Sequence, residues 1–311
     1  MSESKSLRAA YGETLIKLGE SNKDILVLDA DLGLVTMTCL FAKKFPDQFY
    51  NFGIAEANMV CAAAGLAFEG YIPFVSTITI FGAGRAFEQI RNSVAYTNAN
   101  VKFALTHSGI SVGENGGSHQ AVEDIALMRS IPGMTVFVPC DPLEVEKAIK
   151  AAVEIKGPVF IRVASNVCPY ITAENDPFIP GKANIMKNGS QISIFCTGLM
   201  VGESLEAAKL LEKEGISAGV VNYHTIKPFD RETALEQAKK TGVVLTVEDH
   251  SIVGGLGSAT AEVLAGKGEF KFERLGIMDK FGKSGTPKDL FREFGLNAEN
   301  IAEVCKKLLK N

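Results

Sequence analysis

The chain has 311 residues, 46% of them hydrophobic and 22% charged, and a net charge of −4. That length and composition suit a globular protein of two domains rather than a single core. Scattered Lys and Arg exclude a basic nucleic-acid groove, and no apolar run approaches the length of a membrane span. The six cysteines, Cys39, Cys61, Cys140, Cys168, Cys196 and Cys305, form no CxxC pair, so neither a zinc ribbon nor a redox motif is expected. Residues 1–6 lack the apolar core of a signal peptide, and a cytoplasmic, reduced protein is the expectation.

In chain order, the spacing of Leu7, Ala10, Tyr11, Leu15 and Leu18 predicts a helix over 7–20. Ile25 to Leu28 reads as a buried strand with Asp29-Ala-Asp31 at its carboxyl end. A helix over 36–44 and a short strand over 48–51 follow. Asn51-Phe-Gly-Ile-Ala-Glu56 then runs into a helical pattern that closes near Glu69-Gly70. Strand 72–76, helix 81–96 and strand 101–106 lead to a glycine-rich polar loop from His107 to Gln120. Helix 121–130, strand 134–138, helix 142–155 and strand 158–163 complete this alternating set.

Residues 165–190, with Pro169, Pro177 and Pro180, read as an interdomain linker. A second set follows, with strands 191–195, 217–222, 243–247 and 270–275 and helices 201–213, 232–240, 257–266 and 297–310. The expected fold is α/β in two domains, each a largely parallel sheet with helices on both faces. The domains are expected at residues 1–185 and 186–311, with the linker at about 165–190. Ligands gather at the carboxyl ends of strands in such sheets. Asp31, Thr77 and His107 each fall just after a predicted strand and can share one edge.

Glu56 lies between Phe52, Ile54 and Ala55 on one side and Met59, Val60 and Cys61 on the other. An acid in so apolar a run is costly to bury without a hydrogen-bond partner, and burial would raise its pKa. Taken alone, the stretch fits an exposed carboxylate favoured by the helix dipole better. Two of the four histidines, His107 and His119, flank a loop holding Gly109, Gly113, Gly116 and Gly117. Glycines let a backbone take unusual conformations and let a ligand come close, and imidazole exchanges protons near neutral pH. Either histidine alone would read as a solvated loop residue. His224 and His250 read as structural. Phe81 reads as core, although an aromatic beside a site can stack on a heterocycle. Glu114, Asn115 and His119 match no closed zinc or calcium pattern, and neither a G-x-S-x-G elbow nor a P-loop occurs. Gly254-Gly-Leu-Gly257 before a helix could bind an anion but fits a close-packing turn better.

Several of these stretches, in order and spacing, resemble the C-terminal half of transketolases. They are Ala30-Asp31-Leu32, Gly53-Ile-Ala-Glu56, Pro73-Phe-Val-Ser-Thr77 with Phe81, and Gly113-Glu-Asn-Gly-Gly-Ser-His119-Gln120. Gly157-Pro158, His224-Thr-Ile-Lys-Pro228, Glu248-Asp-His-Ser251 with Gly254-Gly-Leu-Gly257, and Asp279-Lys-Phe-Gly-Lys-Ser-Gly285 continue the match. The resemblance spans nearly the whole chain, as a pyrimidine-binding domain and then a transketolase C-terminal domain. It implies thiamine diphosphate and the transfer of a two-carbon ketol unit from a ketose or ketose phosphate to an aldose or aldose phosphate. It also implies that Glu56 protonates the aminopyrimidine and so switches on the thiazolium carbon, that Phe81 stacks on the pyrimidine, and that Asp31 lies near the thiazolium. His107, Asn115 and His119 would face the sugar, the histidines bonding or shuttling protons at its oxygens.

The departures carry as much information. The family binds the diphosphate and a divalent metal through a Gly-Asp-Gly motif in another domain, and no Gly-Asp-Gly occurs here. The resemblance therefore implies a split enzyme. A separate N-terminal transketolase subunit would hold the diphosphate and Mg2+ or Ca2+, the pair would form a heterotetramer, and this chain alone would be inactive. Asn115 stands in place of the family's Asp, Ile78 and Gly84 in place of aromatics, and Ser165 in place of an arginine that binds the substrate phosphate. Arg162 or the partner could supply that missing charge. Other readings are a chain like 1-deoxyxylulose-5-phosphate synthase or like the beta subunit of a 2-oxo acid dehydrogenase. Phe81 favours transketolase over the synthase. A non-catalytic regulatory or scaffold chain would need neither Glu56 nor His119.

Overall fold

A computed structural model describes residues 4–310; residues 1–3, part of the stretch read above for a signal peptide, and residue 311 lie outside the described residues. The strands are β1 (Ser4–Ser6), β2 (Ile25–Asp29), β3 (Phe49–Asn51), β4 (Ile72–Ser76), β5 (Lys102–Thr106), β6 (Thr135–Phe137) and β7 (Val159–Val163). After them come β8 (Val167–Pro169), β9 (Asn184–Lys187), β10 (Ile192–Cys196), β11 (Ala218–Asn222), β12 (Thr225–Lys227), β13 (Val243–Ser251) and β14 (Lys271–Ile277).

The first sheet runs β12-β6-β7-β5-β4-β2-β3 and is parallel except for β12. Strands β2, β5 and β7 are buried along their whole length, as a sheet covered on both faces requires. The alternation along β2 sorts its side chains. Ile25 and Val27 pack with helices Leu7–Ser21 and Pro142–Glu154, while Leu26 and Leu28 pack with helices Glu56–Phe68 and Asp124–Ser130. The second sheet runs β14-β13-β10-β11-β9, parallel except where β9 meets β11. Helices Met200–Lys213 and Ala298–Lys310 cover one of its faces. The other face joins a cluster that also holds Leu28 and Met59, so the two domains share buried apolar surface.

Three expectations need correction. Residues 165–190 are not a plain linker: β8 pairs antiparallel with β1, and β9 edges the second sheet. The predicted helix over 81–96 is interrupted, with π-helical turns at Ile80–Arg85 and Ile90–Ala95 around a short α-helical piece, Phe87–Gln89. The predicted helix over 36–44 is two pieces, Gly33–Thr36 and Cys39–Lys44, divided at Met37, whose φ is 69°.

Strand order reverses at β2, with β3 on one side and β4 on the other. A reversal of this kind opens a crevice at the carboxyl ends of the strands. Asp31 leaves β2 there, and Thr77 leaves β4.

Candidate active site

Glu56 opens its helix and is only 2% exposed. The segment before it is tied to the end of β2. Phe52 N donates to Asp29 O at 2.9 Å, and the Asn51 amide both accepts from Asp31 N at 3.1 Å and donates to Asp31 Oδ1 at 3.0 Å. The two acids of Asp29-Ala-Asp31 differ in role. Asp29 is buried and accepts from Leu32 N, Thr36 Oγ1 and Thr38 Oγ1; burial pushes its pKa up against those bonds. Asp31 stands exposed, with its backbone at φ 64°.

The Glu56 carboxylate has a partner. Arg85 Nη1 donates to its two oxygens at 3.0 and 2.9 Å, reaching in from a side chain that is 51% exposed. The same guanidinium lies 4.6 Å from the centroid of the Phe81 ring. Phe81 in turn meets His119 edge-on, centroids 5.4 Å apart and planes at 70°. His107 is buried, with φ 58° and Nδ1 at 2.9 Å from Thr106 Oγ1. Burial, then the charges of Arg8 and His119, pull its pKa down to about 4. His107 is therefore neutral near pH 7 and suits hydrogen bonding rather than proton shuttling. Glu56, Arg85, Phe81 and His119 thus follow one another in contact. Thr77 adds a buried hydroxyl without a partner. Asn115 is exposed at the end of the turn Ile110–Asn115, and nothing among the described residues bonds it to either histidine.

The loop glycines permit a close approach, and the neighbour is the second domain. A Cβ at Gly116 would come within 2.5 Å of Ser284 Oγ, and one at Gly117 within 2.6 Å of Gly282 O. Gln120 Nε2 donates to Lys283 O at 3.0 Å, so the stretch after Asp279 backs the loop. At Gly254-Gly-Leu-Gly257 the helix N-terminus already holds an anion. Glu248 accepts from Leu256 N at 2.7 Å and from Gly257 N at 2.8 Å. His250 and His224 are packed inside: His250 accepts from Ala126 N at 3.3 Å, and His224 stacks on Phe178 at 4.1 Å.

Arg162 is not free to bind a substrate phosphate. It is 6% exposed and grips Asp124 with two donors, at 2.6 and 3.1 Å. Arg8 is the cation that sequence reasoning missed. Ser6 Oγ donates to Ser165 O at 3.4 Å and Leu7 N to Asn166 O at 3.2 Å, which brings Arg8 to the corner of Ser165. Arg8 is half-buried, donates to Val35 O at 2.9 Å, and is close enough to His107 to depress its pKa. On the sequence it is one basic residue on an ordinary helix. Among the described residues no group of three or more His, Cys, Asp or Glu could hold a metal ion, and no helix is long and apolar enough to cross a membrane.

Comparison with known proteins bears on this arrangement. Residues 3–168 match the model of the transketolase pyrimidine-binding domain, and residues 181–301 that of the transketolase C-terminal domain. A transketolase C-terminal section of Methanocaldococcus jannaschii is 47% identical over 98% of this chain and 97% of its own length. The 6-deoxy-6-sulfo-D-fructose transketolase subunit SqwH of a Clostridium species is 41% identical over 97% of this chain and 94% of its own. A solved split-gene transketolase, an inactive β4 tetramer, is 46% identical, covers 98% of both chains and gives a TM-score of 0.90. On these matches and this fold, the chain belongs to the transketolase family.

Proposed function

We propose that this chain is the C-terminal subunit of a split, thiamine-diphosphate-dependent transketolase that moves a two-carbon ketol unit from a ketose to an aldose in the cytoplasm. The observation that carries this reading is the row of touching side chains from Glu56 through Arg85 and Phe81 to His119. The pyrimidine half of the cofactor asks for an acid, a flat apolar face and a polar anchor, and Glu56, Phe81 and the spare Thr77 hydroxyl offer them. When bound, the cofactor would supply an electron sink at its thiazolium carbon. Glu56 would hold the proton at the ring nitrogen, with Arg85 turned outward into the solvent it already half occupies. Phe81 would stack on the ring, and Asp31 would flank the thiazolium side. His119, Asn115 and the neutral His107 would bond the sugar hydroxyls.

The partner is an N-terminal transketolase subunit that carries the diphosphate site and its Mg2+ or Ca2+. Two copies of each chain make a heterotetramer. Support comes from the relatives' description as a C-terminal section and a split-gene subunit. Leu34, Ile54 and Phe281, which are 81, 79 and 87% exposed, also fit cover by another chain. Leu34 follows Asp31, Ile54 precedes Glu56, and Phe281 adjoins the Gly282 packed on Gln120.

Arg8 supplies the charge for the anionic tail of the sugar. That tail is a phosphate, or a sulfonate of the kind for which the Clostridium relative is named. The test is reconstitution with the partner, thiamine diphosphate and Mg2+, followed by assays with phosphorylated, sulfonated and uncharged ketoses. Two-carbon transfer that needs both chains is the expected result. Full turnover by the lone chain, or carbon dioxide release from a 2-oxo acid by the pair, overturns the reading.

A further inference from the structure

One carboxylate of the second domain holds the loop that carries His107 and His119. Asp249 lies two residues before the carboxyl end of β13 and is 3% exposed. Its Oδ1 accepts from Ile110 N at 3.0 Å, the first amide of the turn Ile110–Asn115. Gly109, at φ 70°, lies against the same carboxylate: a Cβ there would stand 2.1 Å from Asp249 Oδ2. The backbone of Asp249 is held as well. Arg162 Nη2 donates to Asp249 O at 2.9 Å while the same guanidinium grips Asp124. Gly109 N donates to Ala121 O at 2.9 Å, so both ends of the loop meet beside Asp249. One residue on, His250 accepts from Ala126 N, and Ser251 N donates to Val122 O at 2.7 Å.

A glycine-rich loop left to itself samples many conformations. Here one buried acceptor from another domain meets the leading amide of the turn and fixes where it starts. We propose that Asp249 is a positioning residue for the loop from His107 to His119, and that the Glu248-Asp249-His250-Ser251 stretch is the device by which the second domain sets substrate geometry. The kinetic part rests on the reading of the crevice as a ketol-transfer site; the structural part does not.

The experiment therefore has two arms, run on Asp249→Ala, Asp249→Asn and a control, Asn222→Ala. The control cuts a different interdomain bond, Asn222 Nδ2 to Glu144 Oε1 at 2.8 Å. Amide hydrogen exchange of the purified chain comes first. Asp249→Ala is expected to speed exchange at Ile110 and through residues 108–119, Asp249→Asn to restore much of the protection because it keeps an acceptor, and the control to leave the loop unchanged. In the reconstituted pair, Asp249→Ala is expected to lower kcat/KM for transfer by about 10- to 100-fold with cofactor affinity unchanged. Equal exchange at Ile110 in wild type and Asp249→Ala overturns the proposal, as does the same kinetic loss in the control. If the wild-type pair transfers no ketol unit, the functional reading fails and the exchange arm still decides this one. Should Asp249→Ala not fold, Gly109→Ala pushes the loop off Asp249 from the other side. It must then give the same loop-wide exchange, and an undisturbed loop there counts against the proposal.

Discussion

Lys102, on the first domain's sheet, and Glu56, at the start of a helix packed on it, are both buried ionisable groups, and they are satisfied in opposite ways. Lys102 starts β5, at the amino end, with 0% exposure. Its three donors meet three acceptors of the chain itself, Asn100 Oδ1 at 2.7 Å, Ile155 O at 2.6 Å and Gly157 O at 2.8 Å. Glu56, at the carboxyl end, depends on one arginine that is half in solvent. A charge whose partners are all backbone and short side chains of the interior is locked. One whose partner can turn outward can exchange it for a ligand. Burial alone does not distinguish the two; the mobility of the partner does.

The largest expected effect tests the open end. Glu56→Gln keeps the shape and removes the acid, so transfer by the reconstituted pair is expected to fall by about 10²- to 10⁴-fold. Assembly and melting temperature should stay close to wild type. Retained transfer would remove Glu56 from the chemistry and erase the contrast with Lys102. The closed end should respond in stability instead. Lys102→Met strands three acceptors and is expected to cost about 2–4 kcal/mol in urea unfolding, with turnover per folded molecule unchanged. A variant as stable as wild type would show that those three bonds do not hold the amino end of the sheet.

Arg8 tests whether a second half-exposed arginine at the same edge is also held for a ligand. Arg8→Ala is expected to raise KM for an anionic sugar by roughly tenfold or more and to leave uncharged ketoses little affected. A uniform rise across both classes would make Arg8 a support for Val35 and His107, not a ligand.

How far these features can be read from the chain follows the range of the forces involved. The alternation of strands and helices, the strand ends carrying Asp31, Thr77 and His107, and the apolar run around Glu56 are local patterns, and they are legible. Strands β8, β9 and β12 are not, because each owes its existence to an edge far away in sequence. β12 is three residues before a proline, and only its pairing with β6 of the other domain makes it a strand. Helix Pro287–Glu293 carries a local signal as well, since Thr286 caps it by accepting from Asp289 N and Pro287 sits in its first turn. The glycines of the loop gave a true signal of close approach without its object, which is Ser284 and Gly282 in the second domain. Arg162 and Arg8 show the same limit. Which arginine is consumed by Asp124 and which is left at the crevice depends on contacts between distant segments.

The smallest effect concerns His107, whose neutrality separates hydrogen bonding from proton transfer at this edge. Its folded pKa of about 4 lies below the ordinary 6.5. Between those values the unfolded chain binds a proton that the folded chain refuses, so the stabilising share is complete above pH 6.5 and is lost as pH falls toward 4. From pH 7 to pH 5.5 the loss comes to about 1 kcal/mol for one such histidine. His224, also held down to about 4 by burial, should add a similar share. Urea unfolding of the chain at the two pH values, for wild type and His107→Gln, isolates the first share. The variant's drop is expected to be smaller by about that amount, with the part due to His224 intact. An equal drop in both proteins would mean that His107 charges in the folded chain as readily as in the unfolded one. It would then be as open to exchange as Glu56, and a proton carrier rather than a fixed hydrogen-bond partner.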